Sequence, residues 1–293
     1  MQTWPAIAET VVHAERTGWD GAWIADHHMG DGGEFGPADA PTIEATAALG
    51  ALSVATDRIR VGSLALAMSH RHPAEVANWA ATTDHISDGR LVLGLGAGWQ
   101  PNEHQQYGFD LLTVGDRVSR FEECCAALKG LLRDAVTTVD GRWIHLDAAR
   151  CEPKPVQARL PILIAGKGDR MLGVVARFAD EWNMWGLPKA IAERAAVLDR
   201  HCEAIGRDPS TIRRTTQAHL LLTDDRDRAR EFVESVAPRA AVAGTVDHLV
   251  NAVHAWRDVG IDELIVPDLR IGTGTAAADF YDAFIERVAP SCR

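Results

Sequence analysis

The sequence predicts a single α/β domain over residues 1–293, a (β/α)8 barrel. Short apolar, β-branched runs alternate with amphipathic helical stretches, and strict alternation implies parallel strands joined by right-handed crossovers. Seven such units in 293 residues point to a barrel, which takes about 250 residues before insertions, more than to an open sheet. No internal repeat or low-complexity tract divides the chain.

The chain opens on "MQTWPAIAETVVHAERTG", a helical pattern with Ile7, Val11, Val12, Ala14 and Glu15 in amphipathic order. Strand runs follow at 20–25 (DGAWIA), 59–66 (IRVGSLAL), 90–95 (RLVLGL), 161–165 (PILIA), 180–185 (DEWNMW), 215–222 (TTQAHLLL) and 261–267 (IDELIVP). Between them, 116–132 repeats Val118, Phe121, Cys125, Leu128 and Leu132 at helical spacing, and 245–259 does the same with Val246, Leu249, Val250, Val253 and Trp256. Residues 136–160 break the rhythm with a D-G turn between two β-like runs and then a proline-rich stretch. They predict an excursion with a small hairpin between strands four and five of the barrel. A barrel needs eight strands and the pattern shows seven. Nothing before the opening helix reads as a strand, so the expectation is a barrel whose first strand is missing from this chain.

Composition narrows the partners. A net charge of −11 opposes a nucleic-acid or anionic-membrane surface, since both need a basic face. No apolar run is long enough to cross a membrane, and no basic leader with an apolar core opens the chain. Cys124, Cys125, Cys151, Cys202 and Cys292 form no C-x-x-C pair, which suits buried thiols in a reducing compartment. The expectation is a cytoplasmic protein acting on a small molecule.

Barrel sites are built at the C-terminal ends of strands. Here those ends carry Asp26-His27-His28, Met68 to His72, Gly94 to Trp99, Gly166 to Arg170 and Asn183 to Gly186. A metal hydrolase needs several ligands converging from different strand ends. The ends at Ala165-Gly166 and Asn183-Met184-Trp185 supply none, so no metal is expected. Two glycine-rich loops say more. "LGLGAGW" (93–99) lets the backbone approach a ligand, and "IAGKGDRML" (164–172) passes into a helix start beside Lys167 and Arg170, a phosphate or carboxylate site. Together they favour a phosphorylated cofactor. Taken singly, each has a plainer account: His28 is structural, His70 and His72 belong to a solvated loop, and the tryptophans and the Cys124-Cys125 pair are core.

The segments "GWDGAWIADHH", "TTDHISDGRLVLGLGAGWQPNEHQQYGFD" and "GRWIHLDAARCEPKPVQARLPILIAGKGDRMLGVVARFADEWNMW" resemble the bacterial-luciferase-like flavin and deazaflavin oxidoreductases over almost the whole chain. The resemblance implies a (β/α)8 barrel binding the deazaflavin coenzyme F420 or FMN at its C-terminal mouth. It places His27 at the reacting centre as proton donor or acceptor, with Asp26 to orient it. Leu64-Ala65 match a site of a non-prolyl cis peptide against the cofactor ring. Gly96, Ala97 and Gly98, with Trp99 beside them, match a loop lining the cofactor. Gly166, Lys167, Gly168 and Arg170 match the phosphate loop, and Asn183 the residue beneath the ring. Arg71, Lys167 and Arg170 are the candidates to meet an acidic cofactor tail.

Where sugar-phosphate dehydrogenases of the family carry a glutamate, this chain has Trp99; Glu103, one turn on, reads equally as a helix-start carboxylate. Trp23, Trp99, Trp182 and Trp185 near strand ends suggest a hydrophobic or planar substrate. The expected reaction is F420-dependent hydride transfer. The alternatives are an FMN-dependent two-component monooxygenase served by a flavin reductase, and a catalytically idle flavin-binding paralogue. The resemblance also implies a homodimer.

Overall fold

A computed structural model describes residues 3–271 and 274–292. The chain divides into two compact units. The first takes the chain up to Glu15, Asp20–Ala165 and Arg177–Asp180; the second takes Arg16–Trp19, Gly166–Ala176 and the chain from Glu181 on. Helix α1 (Trp4–Thr17) opens the chain, as its pattern predicts.

In the first unit β1 (Gly21–Ile24) pairs in parallel with β2 (Arg60–Ser63), and β2 with β4 (Leu91–Gly96). The two-residue strand β3 (Leu66–Ala67) also pairs with β4. After the hairpin β5 (Thr137–Asp140) and β6 (His145–Ala149), β7 (Ile162–Ala165) joins the other side of β4. Helices α2 (Ala45–Ala55), α3 (Pro73–Ile86), α4 (Pro101–Tyr107) and α5 (Val114–Arg133) connect them. Leu91, Val92, Leu93 and Leu95 of β4 and Ile162, Leu163 and Ile164 of β7 are all buried, which is why these strands read as unbroken apolar runs. Cys124 and Cys125 lie in the same core; burial pushes the Cys124 thiol up to about 11 and holds Cys125 well above its ordinary value. The expected strand 59–66 is two strands, interrupted where the Leu64–Ala65 peptide is cis.

Strand β4 lies so close to β2 that position 94 admits only glycine. A Cβ there would sit 1.8 Å from the Ser63 carbonyl oxygen, and the Ser63 hydroxyl both donates to the Gly94 carbonyl (2.7 Å) and accepts from its N–H (3.1 Å). Gly94→Ala is therefore expected to destabilise the protein by at least the about 1–3 kcal/mol of an overpacked core. Urea denaturation measures it, and an unchanged midpoint would mean the two strands can part at no cost.

The excursion is held from outside. Glu123 of α5 accepts the N–H groups of Arg142 (3.0 Å), Trp143 (2.8 Å) and Ile144 (3.0 Å) at the tip of the β5–β6 hairpin. Burial works to raise its pKa, but these three donors hold the carboxyl below the usual range.

The second unit contains α6 (Asp169–Phe178, which ends in the first), β8 (Glu181–Trp185), α7 (Pro188–Ala204), β9 (Arg213–Gln217), β10 (His219–Leu222), α8 (Arg226–Val236), β11 (Ala241–Gly244), α9 (Val246–Asp258), β12 (Glu263–Ile265) and α10 (Thr275–Arg287). Strand β9 pairs in parallel with β8 and β12, and β10 with β11. The run 215–222 thus serves as two strands with different neighbours, parted at Ala218. Strand β11 has no counterpart among the expected strands, because Ala-Val-Ala-Gly carries one β-branched residue and no alternation. Trp182, Trp256, Leu198 and Leu249 are buried in this unit. Among the described residues, no helix is long and apolar enough to cross a membrane.

Candidate active site

Asp26, His27 and His28 follow β1 in the loop beyond its C-terminal end, and the three side chains take three separate partners. Asp26, 3% exposed, accepts two bonds from the Arg71 guanidinium, one of them Nη2 to Oδ1 at 2.8 Å, and the Ala67 N–H at 2.8 Å. Burial works against its ionisation, yet the neighbouring His70, Arg71 and the Ala67 amide hold its carboxyl below the ordinary value. Asp26 is therefore the main counterion of the part-buried Arg71 guanidinium, and the expectation that it orients His27 is corrected: its oxygens are taken by Arg71 and the Ala67 N–H. The same pairing, with a further bond from Arg71 to Glu44 (3.2 Å), commits the cation that was a candidate for the cofactor's acidic tail.

His27 turns to Glu103. Its Nδ1 lies 3.4 Å from Glu103 Oε1, while Oε2 accepts the His28 N–H at 3.1 Å. Glu103 is 1% exposed and the His27 side chain 12%. Burial raises the Glu103 pKa, but the bonds from His27 and the His28 amide outweigh it and hold the carboxyl below its usual range. The carboxylate partner of the histidine thus comes from α4 and not from the adjacent residue.

Helix α4 grips the whole turn. Pro101 opens it, Gln100 donates to the Met29 carbonyl (3.0 Å), Asn102 to the Gly30 carbonyl (2.8 Å), and Tyr107 to the His28 carbonyl (3.4 Å). His104 fastens the helix to the next loop. Its Nδ1–H donates to the Gln100 carbonyl (2.6 Å), which can only accept, so Nε2 accepts from the Ser69 hydroxyl (2.7 Å). His28 packs against His70 (ring centroids 4.7 Å), Tyr107 and Phe109, and burial together with the facing His70 pushes its pKa down. His70 is buried and its Nε2 lies 2.9 Å from Arg71 Nη1; His72 caps α3 through its Nδ1. The expectation of a solvated loop is corrected for His70, which is folded against the Asp26–Arg71 pair, while His72 is exposed as expected. Among the described residues no group of three or more His, Cys, Asp or Glu is placed to hold a metal ion.

The imidazole of His27 stands between two aromatic rings, Phe35 at 4.6 Å and Trp99 at 5.4 Å edge-on. Trp99 is 48% exposed, a large apolar surface left open beside His27. Next to it runs a lane with no side chain larger than a methyl: Ala65, Gly96, Ala97 and Gly98 are all partly exposed although the strands behind them are buried. At Gly98 φ is +84°, and a Cβ would meet the Ser69 hydroxyl at 2.1 Å, so this turn also requires glycine. Leu64 and Ala65 flank the cis peptide, and a Cβ on Gly96 would lie 3.6 Å from that of Ala65. Such small residues leave the backbone here open to close approach by a ligand.

In the second unit, the Gly166 N–H donates to the Asn183 carbonyl (3.0 Å) and the Gly166 carbonyl accepts Trp182 Nε1 (2.8 Å). Lys167, Gly168 and Arg170 are exposed at the start of α6, where Asp169 pairs with Arg194. Asn183 is buried, and its carboxamide donates to Thr215 (2.7 Å) and accepts from Gln217 (2.9 Å). Trp182 is core, bonded to backbone, and Trp185 lies against His219 and Arg239; Trp182 is therefore removed from the expected pocket wall.

Known proteins share this sequence pattern and this architecture. The family model described as luciferase-like monooxygenase matches residues 1–284. An uncharacterised protein of Mycobacterium tuberculosis is 32% identical over 250 residues, covering 85% of this chain and 76% of that one. Among solved structures, an F420-dependent secondary alcohol dehydrogenase in complex with an F420–acetone adduct superposes with a TM-score of 0.83 at 20% identity, over 98% of this chain and 94% of that one. A riboflavin lyase with modified FMN and riboflavin gives 0.79 at 14% identity, over 99% and 84%. These likenesses show the fold, the barrel class that the alternation of strands and helices predicts.

Proposed function

This chain belongs to the luciferase-like monooxygenase family, and from that premise we propose that it is a flavin-type oxidoreductase using F420, which moves a hydride to or from a hydrophobic or planar organic substrate. The observation that carries the reading is the placement of His27: an imidazole backed by a buried carboxylate, edged by Trp99 and Phe35, beside a lane of small residues. When bound, the deazaflavin supplies a hydride donor and acceptor, and it does not readily activate oxygen.

The chain's own groups do the rest. Gly96, Ala97 and Gly98 let the ring lie against the backbone. Trp99 and Phe35 keep water from the imidazole and offer an apolar face to the substrate. His27 gives a proton to the substrate oxygen as the neighbouring carbon gains a hydride, and takes it back in the reverse direction. Similarity to the alcohol dehydrogenase favours a substrate with a carbonyl or hydroxyl at that carbon. Similarity to the FMN-bearing riboflavin lyase supports the second reading, an FMN-dependent monooxygenase supplied by a separate reductase.

Titration of the purified protein with F420 and with FMN, followed by the absorbance of each, separates the two. F420 is expected to bind at least about tenfold more tightly, a difference of about 1.4 kcal/mol. The opposite order would replace the first reading with the second, and no binding of either would remove both.

A further inference from the structure

Glu103 has two oxygens and two tasks, and together they dictate the state of the histidine ring. We propose that Glu103 is a positioning residue that fixes His27 as the Nδ1–H tautomer, leaving Nε2 as the nitrogen that exchanges a proton with the substrate. The inference rests on the reading of His27 as proton donor and acceptor given above.

An ionised carboxylate only accepts hydrogen bonds. Oε2 is occupied by the His28 N–H at 3.1 Å, a donor that cannot reverse. Oε1 faces His27 Nδ1 at 3.4 Å, so the ring atom that meets it must carry the hydrogen. A neutral imidazole has one N–H, and with Nδ1 holding it, Nε2 keeps its lone pair. The ring's other close neighbours, Phe35 and Trp99, are aromatic faces and edges with no carbonyl or carboxylate to compete for the tautomer. The other nearby carboxylate, Asp26, is committed to Arg71. In one direction of the reaction Nε2 takes the proton from a substrate hydroxyl and the ring becomes an imidazolium, both N–H groups present, with Glu103 as its counterion. In the other, the proton on Nε2 passes to the substrate oxygen and the starting tautomer returns.

The variant Glu103→Gln separates positioning from mere support. Its carboxamide oxygen stays with the His28 N–H, because a backbone donor cannot become an acceptor. That turns the NH2 toward His27 Nδ1, which must then accept, and the hydrogen moves to Nε2. In the cofactor-free protein, nitrogen-15 NMR at a pH where His27 is neutral is expected to show Nδ1 protonated in the wild type and Nε2 protonated in E103Q. Activity should follow, with kcat down by about 10² or more and KM little changed. A wild-type ring protonated at Nε2, or a tautomer that E103Q leaves unaltered, overturns the proposal. Should E103Q fail to fold, the wild-type spectrum is decisive by itself, Nδ1–H supporting the proposal and Nε2–H overturning it. Because the tautomer is read without cofactor, it tests Glu103 independently of the titration that tests the oxidoreductase reading.

Discussion

Replacing His27 with alanine is expected to lower kcat by about 10²–10⁴-fold, the usual contribution of a positioned general acid or base, while cofactor affinity stays within a few-fold. The two parameters part because, in the proposed function, His27 serves proton transfer and not the binding of the cofactor. Phe35 and Trp99, which flank His27, remain, as do the small residues proposed to admit the cofactor. A fall in kcat and kcat/KM together marks an interaction made in the transition state, whereas a rise in KM alone would make His27 a substrate-binding residue. Undiminished turnover in His27→Ala would remove it from the mechanism. Steady-state kinetics with saturating cofactor, together with an absorbance titration of the variant, measures both quantities.

Asp26→Ala is expected to act on stability, by about 3 kcal/mol, because it leaves the part-buried Arg71 guanidinium without its main counterion and the Ala67 N–H without an acceptor. The effect also has a sign in pH. The Asp26 carboxyl in the folded protein is held below its ordinary value, so the unfolded chain binds its proton more readily than the folded one does. Its stabilisation is complete above the unfolded-state pKa and is lost as the pH falls through that value to the lower folded one. Urea midpoints of wild type and variant should therefore differ most near neutrality and converge in acid. Equal midpoints at neutral pH would show that the pair contributes nothing net, in which case Arg71 is satisfied by Glu44 and solvent.

Much of this architecture is written locally. The runs at 90–95 and 161–165 are strands because both faces are buried, and the helical spacing of Val118, Phe121, Cys125, Leu128 and Leu132 lies within α5. The D-G turn marks the hairpin. What the pattern hides is whatever depends on neighbours distant in sequence. β11 is held by its pairing with β10 rather than by its own composition. Asp26 beside His27 invites a dyad, but adjacent residues on an extended strand end point apart, and the partner of each is fixed by the fold. The signal for Glu103 was present in another form. Gln100, Glu103, His104 and Tyr107 recur at helical spacing, a polar stripe on one face of a short helix, and such a stripe at a strand end marks a surface that must satisfy a turn. The tryptophan at 99 is legible as a departure from a family pattern; its meeting with Phe35 is not, since the contact spans a loop of no regular structure.

The grip of α4 on the histidine turn also bears on how this protein can acquire new substrates. Gln100, Asn102 and Tyr107 hold backbone carbonyls of residues 28–30, and Glu103 holds ring and amide at once, so helix and turn behave as one casting. Tilting the helix to widen the entrance would drag the imidazole with it. Exchange of the side chains at 35 and 99, which take no part in these bonds, is the less constrained route. In the proposed function, helix and turn keep the acid–base geometry constant while the rings at 35 and 99 can change.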